Sequence, residues 1–366
     1  MSPTENENCA AVLPRKNAPI GIFDSGTGGL TVLEAMLRPE IAAASSLLRV
    51  PTAEVPDFSG ERFVYLGDQA NMPYGDYPGE GKTEFLRGLV LNDVRFLLAH
   101  EVKIVVIACN TATAYGYEAV RELLERRGGG VRLVGVVEAG AKTAVETALA
   151  AGADGRWSIG VLATDGTVAS GVYERALREE LRRRGLGDGV EIFSRGCPGL
   201  ADAVEKGDPW AYEIAGGYLR ALLGEQRRRA PQAPLKGVIL GCTHFPYVRE
   251  ELERIVPGVA FVDPAAAAAA ACHRELAAAE LLTRGEGPAT IEAYVSVPSN
   301  STPRAYLDGK GWFTRAYKYI RENPDDGSTT VLPLEEALAS GALAFPSYLD
   351  RLPTLSHRFA AAATRS

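Results

Sequence analysis

The sequence predicts an α/β protein made of two doubly wound parallel-sheet domains, related by a pseudo-twofold axis, with an active site in the cleft between them. Three observations lead there. Short unbroken apolar runs alternate with longer stretches at helical spacing, which is how strands covered by helices on both faces read. A strand-and-turn motif occurs twice, each time followed at a similar interval by a second shared motif. With 366 residues, 46% of them hydrophobic, the chain also exceeds the ~250–300 residues at which a single core stops growing.

Taken in order, Met1 to Lys16 is polar, carries Pro3 and Pro14, and lacks the apolar core of a signal peptide. Residues 1–17 are expected to be a flexible tail, with Cys9 incidental. Strands are expected at Ile20–Phe23, Phe63–Leu66, Ile104–Ala108, Leu133–Val137, Ile159–Leu162 and Gly237–Leu240, each rich in β-branched or aromatic residues. The run Ala265–Ala271 reads as helix, since alanine is the best helix former. The basic triplets Arg182–Arg184 and Arg227–Arg229 read as solvated helix surface. The expected division is a first domain of 18–137 plus 264–350, a second domain of 138–263, and a C-terminal tail of 351–366.

The formal net charge of −7 argues against a general nucleic-acid binder, and no stretch is long and charge-free enough to span a membrane. Five cysteines without a C-x-x-C pair are too few for a disulfide framework, so a reducing cytoplasm is the expected setting.

The repeated motif carries the functional argument. Ile20-Gly21-Ile22-Phe23 runs through Asp24-Ser25-Gly26-Thr27 toward a helix, and Ile159-Gly160-Val161-Leu162 runs through Ala163-Thr164-Asp165-Gly166-Thr167. Downstream of the first lies Val105-Val106-Ile107-Ala108-Cys109-Asn110-Thr111. Downstream of the second lies Gly237-Val238-Ile239-Leu240-Gly241-Cys242-Thr243-His244. The distances are 89 residues from Ile20 to Cys109 and 83 from Ile159 to Cys242. A duplicated domain follows, and if the copies face each other, Cys109 and Cys242 meet across the cleft.

A strand-end cysteine is often only a small buried hydrophobe. Two at equivalent places in a repeat, each where a strand passes into a helix, point to thiols tuned by helix-terminal N–H groups. Cys242 and His244 form no familiar zinc spacing, so no metal is expected. The turn Asp24-Ser25-Gly26-Thr27-Gly28-Gly29-Leu30 has no P-loop lysine, and Thr31 stands where a dinucleotide fingerprint needs its third glycine. Its glycines suit a carboxylate approaching backbone N–H groups, while Asp24 and Ser25 suit an ammonium. Together they fit a zwitterionic amino acid. His244, two residues from Cys242, is expected to be functional, whereas Tyr74-Gly75 by itself reads as a turn with an exposed aromatic. A non-catalytic amino-acid-binding protein is the competing class.

The set Phe23-Asp24-Ser25-Gly26 with Gly28-Gly29-Leu30, Tyr65-Leu66-Gly67-Asp68, Pro73-Tyr74-Gly75, Ala108-Cys109-Asn110-Thr111-Ala112, Gly135-Val136-Val137-Glu138 and Gly241-Cys242-Thr243-His244-Phe245-Pro246 resembles glutamate racemases, from about Pro19 to Pro264. An aspartate or other amino-acid racemase of the same superfamily is the nearer alternative, but aspartate racemases usually carry glutamate after the second Cys-Thr, where this chain has His244. The resemblance implies a cofactor-independent interconversion of L- and D-glutamate, with Cys109 and Cys242 as the two acid–base residues, Asp24 and His244 beside them, and Glu205 as an assisting carboxylate. It also implies Asp24, Ser25, Tyr74, Gly75, Asn110, Thr111, Thr243 and His244 as substrate-binding positions, glutamate as the small-molecule partner, a role in peptidoglycan supply, and a possible homodimer. The chain departs from the family at Ala139, in an insertion over about 39–60, and in a longer segment beyond about Gly287. Two bases flanking one α-carbon call for sulfurs roughly 6–8 Å apart, given near-attack contacts of ~3–3.5 Å on each side.

Overall fold

The computed structural model describes residues 15–38, 58–186, 189–283, 285, 287–344 and 347–363. The N-terminal residues to 14, with Cys9, and most of the expected insertion at 39–60 lie outside them. Strands β1 (Ile20–Asp24), β2 (Arg62–Gly67), β3 (Ile104–Ile107) and β4 (Arg132–Gly135) are parallel neighbours in the order β2-β1-β3-β4. Strands β5 (Trp157–Ala163), β6 (Val190–Gly196), β7 (Leu235–Gly241) and β8 (Ala260–Val262) form a second parallel sheet in the order β6-β5-β7-β8. Numbered from its own first strand, each half has the same order. The repeated turn follows the strand that starts each half, β1 or β5, and each cysteine follows the strand beside it, β3 or β7. Ligands in such sheets bind at the carboxyl ends of the strands, which is where both repeats place their polar residues.

The first sheet is larger than its counterpart. Strand β9 (Thr290–Pro298) adds to it parallel to β2, and β10 (Thr329–Pro333) closes that edge antiparallel to β9. Strands β1, β3 and β5 are buried along their whole length, which explains why they read as unbroken apolar runs. On one face of the first sheet, Phe23, Val64, Leu66, Val105 and Ile107 pack with Phe85, Leu89 and Val94 of helix α2 (Thr83–Ala99) and Val120 of α3 (Asn110–Arg126). The alternate residues Ile20, Ile22, Phe63, Ile104 and Val106 belong to a second cluster. It takes in α1 (Leu30–Leu37), α4 (Val136–Ala150) and the second sheet, so one apolar core runs from one half to the other.

Of the expected strands, the one at Leu133–Val137 ends early. Pairing stops at Gly135, and Val136-Val137 open α4. Both valines are buried in either conformation, so apolar periodicity alone cannot separate a strand end from the first turn of a buried helix. Four strands were not among the expected runs. Strand β6 is an edge strand containing Glu191, Ser194 and Arg195, and β8 has only 3 residues. The remaining two, β9 and β10, lie in the longer C-terminal segment.

Helices α5 (Asp165–Ala169), α6 (Val172–Arg183), α7 (Leu200–Glu205), α8 (Ala211–Arg229) and α9 (Arg249–Ile255) belong to the second half. The alanine run forms α10 (Pro264–Ala278), capped by Asp263, whose Oδ1 accepts the Ala265 N–H at 2.9 Å. Its small residues let it pack against both α1 and α4. Arg182 and Arg183 end α6 and Arg227 to Arg229 end α8, and the first pair meet Glu179 on the exposed surface. Among the described residues no helix is long and apolar enough to cross a membrane.

Beyond β9 come α11 (Arg315–Ile320), α12 (Leu334–Ala339) and α13 (Pro353–Ala363). The last shows that the C-terminal tail expected at 351–366 carries a helix. Leu355 and Phe359 of α13 are fully buried, and the Glu34 carboxylate of α1 accepts the N–H groups of Thr354 at 3.1 Å and Leu355 at 3.2 Å. A carboxylate at a helix N-terminus satisfies orphan donors and complements the dipole. Nothing local in the tail's sequence reveals Glu34 as its cap.

Candidate active site

Each half contributes one cysteine at a strand end, but the two settings differ. Cys109 follows β3 and N-caps α3, with its Sγ accepting the Ala112 N–H at 3.4 Å and lying 3.7 Å from Ser25 Oγ. Burial, together with the charge of Asp24, pushes its thiol well above the usual range. Cys242 follows β7, and its Sγ lies 3.9 Å from Nδ1 of His244. The helix-terminal donor expected at both thiols is thus found at Cys109, while at Cys242 the neighbour is an imidazole.

That imidazole is itself held. His244 Nε2 meets Glu205 Oε2 at 2.8 Å, with both side chains at least nine-tenths buried. Burial works to lower the His244 pKa, but the bonds to Cys242 and Glu205 outweigh it, and the ring stays protonated well above its ordinary range. Burial likewise works to raise the Glu205 carboxyl. Bonds from His244, Tyr348 and Thr27 win, and it lies below the ordinary range. Both shifts favour the charged forms, an imidazolium and a carboxylate, and so favour a positive charge beside the Cys242 sulfur. Gln69 Nε2 also donates to Glu205 Oε1 at 2.9 Å.

Asp24 sits between the halves. Its Oδ2 accepts the Gly29 N–H at 2.8 Å and the Thr243 hydroxyl at 3.3 Å, while its Oδ1 is buried with no hydrogen-bond partner among the described residues. Burial raises its pKa against the opposing pull of His244 and the Gly29 N–H. Asp24 is completely buried behind the turn, and a buried carboxylate oxygen suits a cationic donor, as the sequence suggested for an ammonium.

The same turn also corrects one expectation. The Gly29 N–H is committed to Asp24, and the Thr27 N–H donates to Gln69 Oε1 at 3.1 Å. These groups do not form a carboxylate cradle. The glycines serve close approach instead: a Cβ on Gly28 would stand 2.6 Å from His244 Cε1, and one on Gly75 would stand 2.5 Å from Thr164 Cβ. Gly28→Ala is accordingly expected to lower kcat/KM by on the order of 10²-fold, the usual cost of a displacement near 1 Å. The Gly28 φ is not positive, so the backbone accepts the change and the loss of stability is that of overpacking, about 1–3 kcal/mol; steady-state kinetics with a thermal scan checks both.

Ser25, Tyr74, Gly75, Cys109, Asn110, Thr111, Cys242, Thr243 and His244 all line one small cavity, joined by Thr164. Its volume is about 20 Å³, room for about one water. Tyr74 is buried, not exposed as its turn suggested. Its hydroxyl lies 2.5 Å from Asp68 Oδ2 and 2.8 Å from Asp93 Oδ2, its single proton serving one at a time. Asn110 Oδ1 accepts from the Tyr173 hydroxyl at 2.6 Å, leaving its NH₂ as the donor. Thr111 bridges the halves, with its Oγ1 at 3.0 Å from Thr164 and 2.9 Å from Thr167.

The sequence pattern of the Asp/Glu/hydantoin racemase family matches residues 63–272. The chain belongs to that family. Among its relatives, glutamate racemase from Chlorobaculum tepidum is 33% identical over 285 residues, covering 76% of this chain and 88% of the relative. Among solved structures, a glutamate racemase from Bacillus anthracis aligns with a TM-score of 0.58 at 27% identity, over 76% of this chain and 89% of that one. Glutamate racemase from Francisella tularensis in complex with D-glutamate aligns with a TM-score of 0.55 at 26% identity, over 76% and 88%.

The family match spans Cys109, Glu205, Cys242 and His244. It leaves Asp24 and Ser25 before its start, and Tyr348 well beyond its end. Sequence reasoning missed Thr27, Gln69, Thr164 and Tyr348. Thr164 was within reach, since in the internal repeat it occupies the place of Ser25. Gln69 and Thr27 carry no such signal, because what makes them matter is a carboxylate more than a hundred residues away.

Proposed function

We propose that this protein is a cofactor-independent glutamate racemase working through two opposed thiols. The observation that carries the reading is that two strand-end cysteines from the two halves of a repeat line one small cavity, next to a buried carboxylate oxygen with no hydrogen-bond partner among the described residues. The relatives' names supply the substrate. Asp24 Oδ1 receives the α-ammonium, and Asn110 with the hydroxyls of Thr111 and Thr164 offers donors to the carboxylates.

The chemistry balances as proton transfer alone. One sulfur, as thiolate, takes the α-proton and leaves a carbanion delocalised into the α-carboxylate. The other, as thiol, returns a proton to the opposite face. The pair ends with its protonation states exchanged, and donors in a dry cavity stabilise the enolate-like charge. A protonated His244 would stabilise negative charge on the Cys242 sulfur in the state where that sulfur acts as the base. By family resemblance that state acts on L-glutamate. Residues 18–137 with 264–350 and residues 138–263 are proposed as the two bodies that part to admit substrate. Both sulfurs must stay reduced, which suits the cytoplasm, and D-glutamate for peptidoglycan is the proposed use of the product.

Purified protein is expected to racemise glutamate with no added cofactor and to act poorly on aspartate. Binding of glutamate without loss of optical rotation would replace this reading with a binding protein. His244→Asn should lower kcat by about 10²-fold in the direction where Cys242 is the base, and less in reverse. The equilibrium constant of one keeps kcat/KM equal both ways, so the asymmetry must appear in kcat and KM taken separately. Equal kcat losses in both directions would reduce His244 to a structural residue.

A further inference from the structure

Resting on the reading of Cys242 and His244 as acid–base machinery, we infer that Tyr348, from the segment beyond the family match, is a positioning residue for the reaction, its hydroxyl holding Glu205 as the carboxylate that orients His244.

Tyr348 lies in a 3₁₀ turn (Ser347–Arg351) before α13 and is 4% exposed. Its hydroxyl donates to Glu205 Oε2, the same oxygen that meets His244 Nε2. Its ring stands edge-on to the His244 ring with centroids 5.9 Å apart and lies against Tyr247 at 4.4 Å. One side chain thus meets both members of the pair. Thr27 Oγ1 is within reach of both Glu205 Oε1 and the Tyr348 hydroxyl, but its single proton serves one at a time.

The segment that carries Tyr348 is anchored on both sides of the cleft. Arg351 donates from Nη1 to the Tyr247 carbonyl at 2.6 Å and from Nη2 to the Tyr212 hydroxyl at 2.6 Å, while α13 is capped by Glu34. The strap spans from the first half to the second and delivers its phenol at the junction. The titratable groups facing Glu205 are His244 after β7, Tyr348 and Tyr247, and Tyr65 from β2; the adjacent Lys206 is exposed and paired with Asp202. Tyr348 donates to the charged form of Glu205, so removing its hydroxyl disfavours that form.

The test is Tyr348→Phe, which keeps the ring and leaves Glu205 the donors His244, Gln69 and Thr27. The expected result is a three- to ten-fold fall in kcat where Cys242 is the base, with KM nearly unchanged. The acid limb of that profile should move up by about one pH unit, since a carboxyl that loses a donor to its charged form protonates at higher pH. Tyr247→Phe is the control, because the Tyr247 hydroxyl is buried with no hydrogen-bond partner among the described residues and its loss should leave the limb in place. In a Glu205→Gln background the added Tyr348→Phe change should have no further effect. Nitrogen NMR of His244, assignable among only 4 histidines, follows Glu205 protonation without substrate and should show the same upward shift.

An unmoved acid limb with unchanged kcat, an equal shift in Tyr247→Phe, or a Tyr348→Phe effect that persists in Glu205→Gln would each overturn the inference. Failure of the parent protein to racemise glutamate would instead sink the functional reading, and the NMR titration would still decide the role of Tyr348.

Discussion

Cys109→Ala and Cys242→Ala are each expected to reduce racemisation by at least about 10³-fold, the scale of losing a positioned acid–base group. Inversion needs both faces, so neither thiol substitutes for the other. The remaining thiol should still exchange the α-proton of the enantiomer it faces, without inverting it. In heavy water the parent protein should place solvent deuterium at the α-carbon of product, while unreacted substrate in early turnovers gains almost none. The abstracting sulfur holds the old proton, and the opposite one delivers a proton equilibrated with solvent. A single swinging base would return the original hydrogen to either face. Early product that retains it, or a Cys242→Ala enzyme near the parent rate, would end the two-thiol mechanism.

The second large effect lies far from the thiols. Lys103, just before β3, is completely buried and donates to Glu61 Oε2 at 2.6 Å, to the Lys16 carbonyl at 2.6 Å and to the Leu281 carbonyl at 2.8 Å. Glu61 in turn accepts the Thr283 N–H at 2.8 Å. This one pair binds the chain before β1, β2 and β3 to the segment returning after α10. Lys103→Met should destabilise the fold by roughly 3–5 kcal/mol, because it leaves Glu61 as a buried charge without its partner. Replacing both, as Lys103→Met with Glu61→Leu, should cost markedly less than the single change, though carbonyls that lose their donor keep it from being neutral. Urea unfolding of the two variants side by side checks this. A single change costing no more than the double would show that the charge pair is not what holds these segments.

Much of this site was legible because its chemistry is carried by a repeat. Cys109, Cys242, Asp24 and Ser25 sit at strand ends, where local sequence already says that a buried strand stops and small polar residues begin. The glycines of the first turn were legible as glycines but not in their use. A backbone that must come close to something leaves the same trace whether that something is a ligand carboxylate or, as here, the ring of His244. Tyr74 shows the converse. Its turn-like surroundings suggested exposure, yet Asp68 and Asp93 bury it by satisfying its hydroxyl, and those partners come from other elements.

By itself the sequence determined the alternation of buried strands and covering helices, the doubling of one α/β pattern, and two thiols at matching strand ends. These follow from hydrophobic period and strand-end chemistry, which act over a few residues. Only the tertiary structure decided how the thiols differ. Cys109 has a helix-terminal N–H and a raised pKa, while Cys242 has an imidazolium held by a carboxylate from α7 and a phenol from the C-terminal strap. That asymmetry depends on burial and on charges brought within a few ångströms by elements distant in sequence. In a low-dielectric interior such neighbours outweigh everything local, and no local pattern encodes them.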